Sequence, residues 1–170
     1  MEVKNLRPFI IEPLDKDKAG DVLKDAIRKL NAPYWVSAGT ALGLYRDGDF
    51  VPGDTDIDIA LVGYDGIEKD MPLFELIRTV YHEGKPQQLA YMEDGIIFDV
   101  YIHWSEGDDY VNYNERGKQR MPKWMYDEQT FIETKYGRLP FPKDPEKYFE
   151  IRYGDWQTPQ NKKANYEAIS

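Results

Sequence analysis

At 170 residues and a formal net charge of −9, the chain is long enough for one real core and too acidic to track a nucleic-acid backbone, which demands a basic footprint. It has no cysteine, which removes disulfides and thiolate metal sites, and no apolar run nears the roughly 20 residues of a membrane span. Residues 1–5 lack the apolar stretch of a signal peptide, so a soluble, cytoplasmic protein is expected.

Residues 1–170 read as a single domain. Within it, 1–16 is a Pro-interrupted arm that Phe9-Ile10-Ile11 can pin to the core, and 160–170 is a polar tail expected to fray. From Asp17 to Leu30 the apolar residues Ala19, Val22, Leu23, Ala26, Ile27 and Leu30 recur at helical spacing, and the helix ends ahead of Pro33.

The stretch from Tyr34 to Leu61 reads as strand, glycine turn, short helix, polar loop and second strand. Successive strand side chains point to opposite faces, so Asp56 and Asp58 share one face while Ile57, Ile59 and Leu61 anchor the other. Two carboxylates side by side resist ionising together unless a cation sits between them, and oxygen-only ligands suit Mg²⁺ or Mn²⁺. Taken alone, Asp-x-Asp is more often a solvated acidic edge. The upstream turn shifts the balance: backbone N–H groups at Gly39-Thr40, together with Ser37, form a phosphate cradle where the short helix begins. Gly43 lets another backbone or a ligand come close. Arg46, at the helix end, can clamp a phosphate or pair with Asp47 or Asp49. Asp54 can orient the acidic strand or cap a turn.

The apolar positions between Gly66 and Tyr81 predict a helix lying on the sheet, with a start near Asp70 because Pro72 would disturb its first turn. Gln87 to Met92 is a candidate strand and Glu93-Asp94-Gly95 a hairpin turn. In the next strand, Ile96 to His103, Asp99 lies on the same face as Ile97, Tyr101 and His103. An acid inside so apolar a strand is costly without a partner. If this strand neighbours the first acidic one, Asp99 becomes a third carboxylate, as a pair of divalent ions about 3.5–4 Å apart requires. His82 and His103 are too isolated in the sequence to suggest zinc.

Residues 111–126 turn basic, with Arg116, Lys118, Arg120 and Lys123 interleaved with Tyr113, Trp124 and Tyr126. Lys118 and Arg120 are candidates to meet nucleotide phosphates, and the rings to stack a base or cover a sugar; a solvated loop flanked by core aromatics is the alternative. Phe131 to Pro142 reads as a hairpin around Tyr136-Gly137. Asp144 then caps a helix with Pro145 at its first position, running to Tyr153 and stopped by Gly154.

Taken together, the Ser37-to-Pro52 run, Asp54-Thr55-Asp56-Ile57-Asp58, the later strand acid and Tyr153-Gly154-Asp155-Trp156 resemble the LicD/fukutin branch of the nucleotidyltransferase (DNA polymerase beta-like) superfamily. The likeness spans about Tyr34 to Pro159. It departs where Thr55 interrupts the family's usual run of acids, leaving the two metal-facing aspartates in place. The resemblance implies an α/β (α+β) nucleotidyltransferase fold, a small mixed twisted sheet with helices packed on one side. It also implies that a phosphorylated alcohol, phosphocholine or a pentitol phosphate, moves from a CDP-activated donor to a glycan or other hydroxyl acceptor. In that scheme Asp56, Asp58 and Asp99 hold Mg²⁺ (or Mn²⁺) and Asp99 takes the acceptor proton; of the two roles open to Asp155-Trp156, closing over the site or locking the tail to the core, the resemblance favours the lock. Transfer of NMP from an NTP to a small molecule or protein, a non-catalytic nucleotide-binding module, and a plain interaction protein are the competing readings.

Overall fold

Two-residue corners set the register of the central sheet. In the computed structural model, which describes residues 1–71, 73–160 and 167–170, Glu83-Gly84 and Asp94-Gly95 all take positive φ (48°, 78°, 52° and 75°). Paired positive φ values are the hairpin geometry that matches strand twist. In chain order the elements are β1 (Glu2–Asn5), β2 (Phe9–Ile11), α1 (Lys16–Lys29), β3 (Trp35–Val36), α2 (Ala38–Arg46), β4 (Asp56–Val62), α3 (Ile67–Asp70), β5 (Glu75–His82), β6 (Lys85–Glu93) and β7 (Ile96–Glu106). They continue with β8 (Asp109–Asn114), β9 (Gly117–Pro122), α4 (Lys123–Asp127), β10 (Gln129–Thr134), β11 (Gly137–Pro142), α5 (Pro145–Tyr153) and β12 (Glu167–Ile169).

The fold is mixed α/β. Among the described residues the main sheet runs β1-β5-β6-β7-β4-β3, with β8 and β9 extending from the far end of β7. The β4–β7 pair is parallel and its neighbours are antiparallel. One face carries Ile57, Ile59 and Leu61 of β4 with Phe98, Val100 and Ile102 of β7, and α1 lays Ala19, Val22, Leu23 and Ala26 into the same buried core. Asp15 caps α1 by accepting from the Lys18 amide at 3.1 Å. Among the described residues no helix is long and apolar enough to cross a membrane.

The helix expected over 66–81 is not there: a single turn, α3, is followed by β5. The apolar spacing that reads as helical is the footprint of a β-bulge. Leu76 pairs with Tyr91 and Arg78 with Ala90, leaving Ile77 as the extra residue, so Ile77 and Val80 are both buried three positions apart. β-Branched and aromatic residues in this stretch favour the strand.

The N-terminal arm is pinned through Phe9 as expected, and it also pairs with the sheet. The arm supplies β1, paired with β5, and β2, whose Phe9 is buried. Part of the tail is ordered, since β12 pairs with β2; residues 161–166 lie outside the described ones. The β10–β11 hairpin and α5 stand where the sequence puts them, with Asp144 accepting from the Lys147 amide and Gly154 ending the helix.

Candidate functional site

Because β4 and β7 run parallel in register, Asp58 lies directly beside Asp99 and Asp56 beside Ile97. Each of Asp56, Asp58 and Asp99 presents a carboxylate oxygen within 4.8 Å of the other two, with Asp58 and Asp99 buried. Burial first, and then the Asp56 charge, push the Asp58 and Asp99 carboxyls well above the ordinary range. Arg152 opposes that push on Asp58, and Gln88, whose side-chain amide donates to Asp99 Oδ1 at 2.8 Å, opposes it on Asp99. Asp58 Oδ1 is buried with no hydrogen-bond partner. An orphaned carboxylate oxygen inside an all-oxygen acid trio fits a hard divalent cation, whose charge would relieve both the repulsion and the missing bond.

The start of α2 is built onto these acids. Thr40 is fully buried and its Oγ1 accepts from the Asp58 amide at 2.8 Å, while the Ser37 amide donates to the Asp58 carbonyl at 3.2 Å. Ser37 is the N-cap but its side chain makes no capping bond. Ala38 sits at φ 48°, and its amide donates to Tyr148 Oη at 2.9 Å. The amides of Gly39 and Thr40 are thus the first-turn donors left without an intrahelical acceptor. A Cβ on Gly39 would lie 2.9 Å from Asp54 Oδ2, and one on Gly43 2.5 Å from the Asp49 carbonyl. What approaches Gly43 is therefore backbone.

A cavity of about 780 Å³ opens over the acids, and Gly39, Arg46, Arg152 and Tyr153 line it beside them. Arg46 takes the pairing that its position allowed. It grips Asp47 with two bonds, at 2.9 and 2.8 Å, gives a third to the Trp156 carbonyl at 2.9 Å, and still borders the cavity. Trp156 packs on Tyr45 and Phe149, which ties the segment after α5 to α2.

Of the sequence-derived candidates, the fold brings Asp56, Asp58, Asp99, Gly39 and Arg46 to this cavity. Ser37 and Thr40 stand behind it as supports. Lys118 and Arg120 are not among its lining residues: both lie on β9 and pair with Glu106, at 2.7 Å each, and Arg120 also with Asp109. From that basic segment it is Arg116 that reaches the rim. His103 is buried among Trp35 and Tyr126, away from any zinc-like grouping among the described residues.

Sequence reasoning missed Gln88, Arg78 and Arg152. The first was within reach, since the Asp94-Gly95 turn fixes Ala90 opposite Asp99 and puts Gln88 one diagonal step away. Arg152 sits at the end of a helix whose charges carry no pattern, and only its packing shows it.

The fold and the site define a mixed α/β domain organised around three convergent carboxylates. The LicD/FKTN/FKRP, nucleotidyltransferase domain model matches residues 31–152, and the chain belongs to that family. Human ribitol-5-phosphate transferase FKTN is 25% identical over 143 residues, 78% of this chain and 31% of that protein. The Macaca fascicularis protein of the same name is 24% identical over the same length. Uncharacterized protein RP689 of Rickettsia prowazekii (strain Madrid E) is 24% identical over 139 residues, 78% of this chain and 51% of that one. The chain thus matches only 31% to 51% of the length of these relatives.

Proposed function

We propose that this domain takes the nucleotidyltransferase fold and transfers a phosphorylated alcohol from a CDP-activated donor to a hydroxyl of a glycan or small acceptor, with Mg²⁺ or Mn²⁺ held by Asp56, Asp58 and Asp99. The observation that carries the proposal is the convergence of these three carboxylates beside the first turn of α2. Family membership and the ribitol-5-phosphate transferase name of the FKTN relatives favour this class of reaction.

In this reading the acceptor oxygen attacks the phosphorus that bears the alcohol. The bond from that phosphorus to the bridging oxygen breaks, CMP leaves, and the acceptor proton passes to Asp99. The cation supplies charge neutralisation for the diphosphate. Arg152 and the Gly39 amide face the same negative charge, with Thr40 holding the turn from behind, and positioning provides the rest of the rate gain.

Incubation with Mg²⁺ and, separately, CDP-ribitol, CDP-choline, CTP and ATP, in the presence of saccharide and alditol acceptors, tests the proposal by ³¹P NMR of the products. Acceptor-dependent release of CMP that Asp99→Asn abolishes is expected. Pyrophosphate release from an NTP would move the reaction to NMP transfer. No turnover of any donor would overturn the transferase reading.

A further inference from the structure

At the far end of the acid row stands an arginine that the transfer step does not use. Leu76 turns into the core opposite Tyr91, and regular alternation would send Arg78 after it. The bulge at Ile77 prevents this: Arg78 pairs with Ala90 and is turned to the cavity face, since a one-residue slip exchanges the faces of a strand. Asp58, Asp99, Ala90 and Arg78 are then successive register partners across β4, β7, β6 and β5, and all four line the cavity. With strands about 4.8 Å apart, the Arg78 backbone lies roughly 10 Å from that of Asp99. Ala90, with the smallest side chain of the row, leaves the floor between them open.

Among the described residues Arg78 Nε is buried with no hydrogen-bond partner, and no ion pair joins Arg78 to a carboxylate. Phe9, Ile77, Ala90 and Ile97 form an apolar cluster on this part of the sheet. A guanidinium donor left unmade in such surroundings costs stability unless a ligand completes it, and the apolar walls strengthen its attraction for an anion. Glu115, Asp155 and Glu167 border the same cavity without pairing with it. Arg78 also lies on the opposite flank of the acids from α2, which follows β3 on the outer side of β4.

We propose that Arg78 is the anion-binding subsite for the acceptor: the hydroxyl compound carries its own phosphate or carboxylate, seated on the Arg78 guanidinium while its hydroxyl lies at Asp99. This rests on the transfer reading above for the word acceptor, and on the sheet geometry for the anion.

The test follows the Arg78 Nε–H signal by ¹⁵N NMR, assigned by its loss in Arg78→Met, while glucose 6-phosphate or glucose is added to protein holding CDP and Mg²⁺. The signal is expected to shift saturably with glucose 6-phosphate and not with glucose. By calorimetry, Arg78→Met is expected to weaken glucose 6-phosphate binding at least tenfold and to leave CDP affinity within twofold. A signal that moves with neither sugar overturns the subsite, and one that moves on addition of CDP and Mg²⁺ alone overturns its assignment to the acceptor. Failure of wild-type protein to bind CDP strikes the transfer reading instead, because the glucose 6-phosphate titration without nucleotide still reads Arg78 by itself.

Discussion

Asp58 and Asp99 meet as register partners on parallel strands, and the amide of Asp58 is held from behind by Thr40 Oγ1 at 2.8 Å. This buried hydroxyl, with the Ser37 amide that donates to the Asp58 carbonyl, joins the start of α2 to the strand that carries two of the three acids. Neither acid reaches the other by local sequence; 41 positions separate them, and the parallel pairing closes that gap.

Thr40→Val leaves the Asp58 amide without its acceptor inside the core. A buried donor so abandoned costs about 1–3 kcal/mol, and urea unfolding is expected to show a loss of that size. Thr40→Ser keeps the hydroxyl and is expected to recover most of it. Equal stability of Val and Ser variants would mean that the bond is not what fixes the helix to the strand.

Arg152 is the positive charge set against Asp58 within the cavity. Arg152→Met removes it, and calorimetry is expected to show CDP binding in the presence of Mg²⁺ weakened at least tenfold. Arg152→Lys is expected to fall between, because an ammonium keeps the charge and loses the planar fork. Unchanged affinity in the Met variant would remove Arg152 from the phosphate side of the site.

His103 is buried, and burial first and Arg152 second push its pKa down to about 3. The unfolded chain takes up this proton below about pH 6.5 while the folded one refuses it. Stability from this group is therefore complete above pH 6.5 and is lost as pH falls towards 3, by at most about 1.4 kcal/mol per pH unit. Urea unfolding of wild type and His103→Gln from pH 8 to pH 4 is expected to show wild type losing ground to the variant below pH 6.5. Parallel curves would show that folding leaves the proton affinity of His103 unchanged.

The elements that the sequence displays clearly are those whose signals are local. Asp144-Pro145 starts α5, Asp94-Gly95 turns β6 into β7, and alternation places Asp56 and Asp58 together. The pairing of β4 with β7 is a tertiary fact; alternation shows which face Asp99 takes, but not which strand lies beside it. The stretch 75–82 misleads because its bulge mimics a helical period, and the same bulge hides Arg78 from any reading that assumes strict alternation. Lys118 and Arg120 look available in a linear sequence only because Glu106 and Asp109, their partners, stand across the β8–β9 hairpin and its junction with β7.

Uptake of Mn²⁺, followed by loss of its free-ion EPR signal, tests the acid trio most directly. Wild-type protein is expected to bind the ion saturably, and Asp58→Asn and Asp99→Asn each to weaken it at least tenfold, although they lie on different strands. Wild-type affinity in Asp99→Asn would contradict a shared site and with it the proposed chemistry.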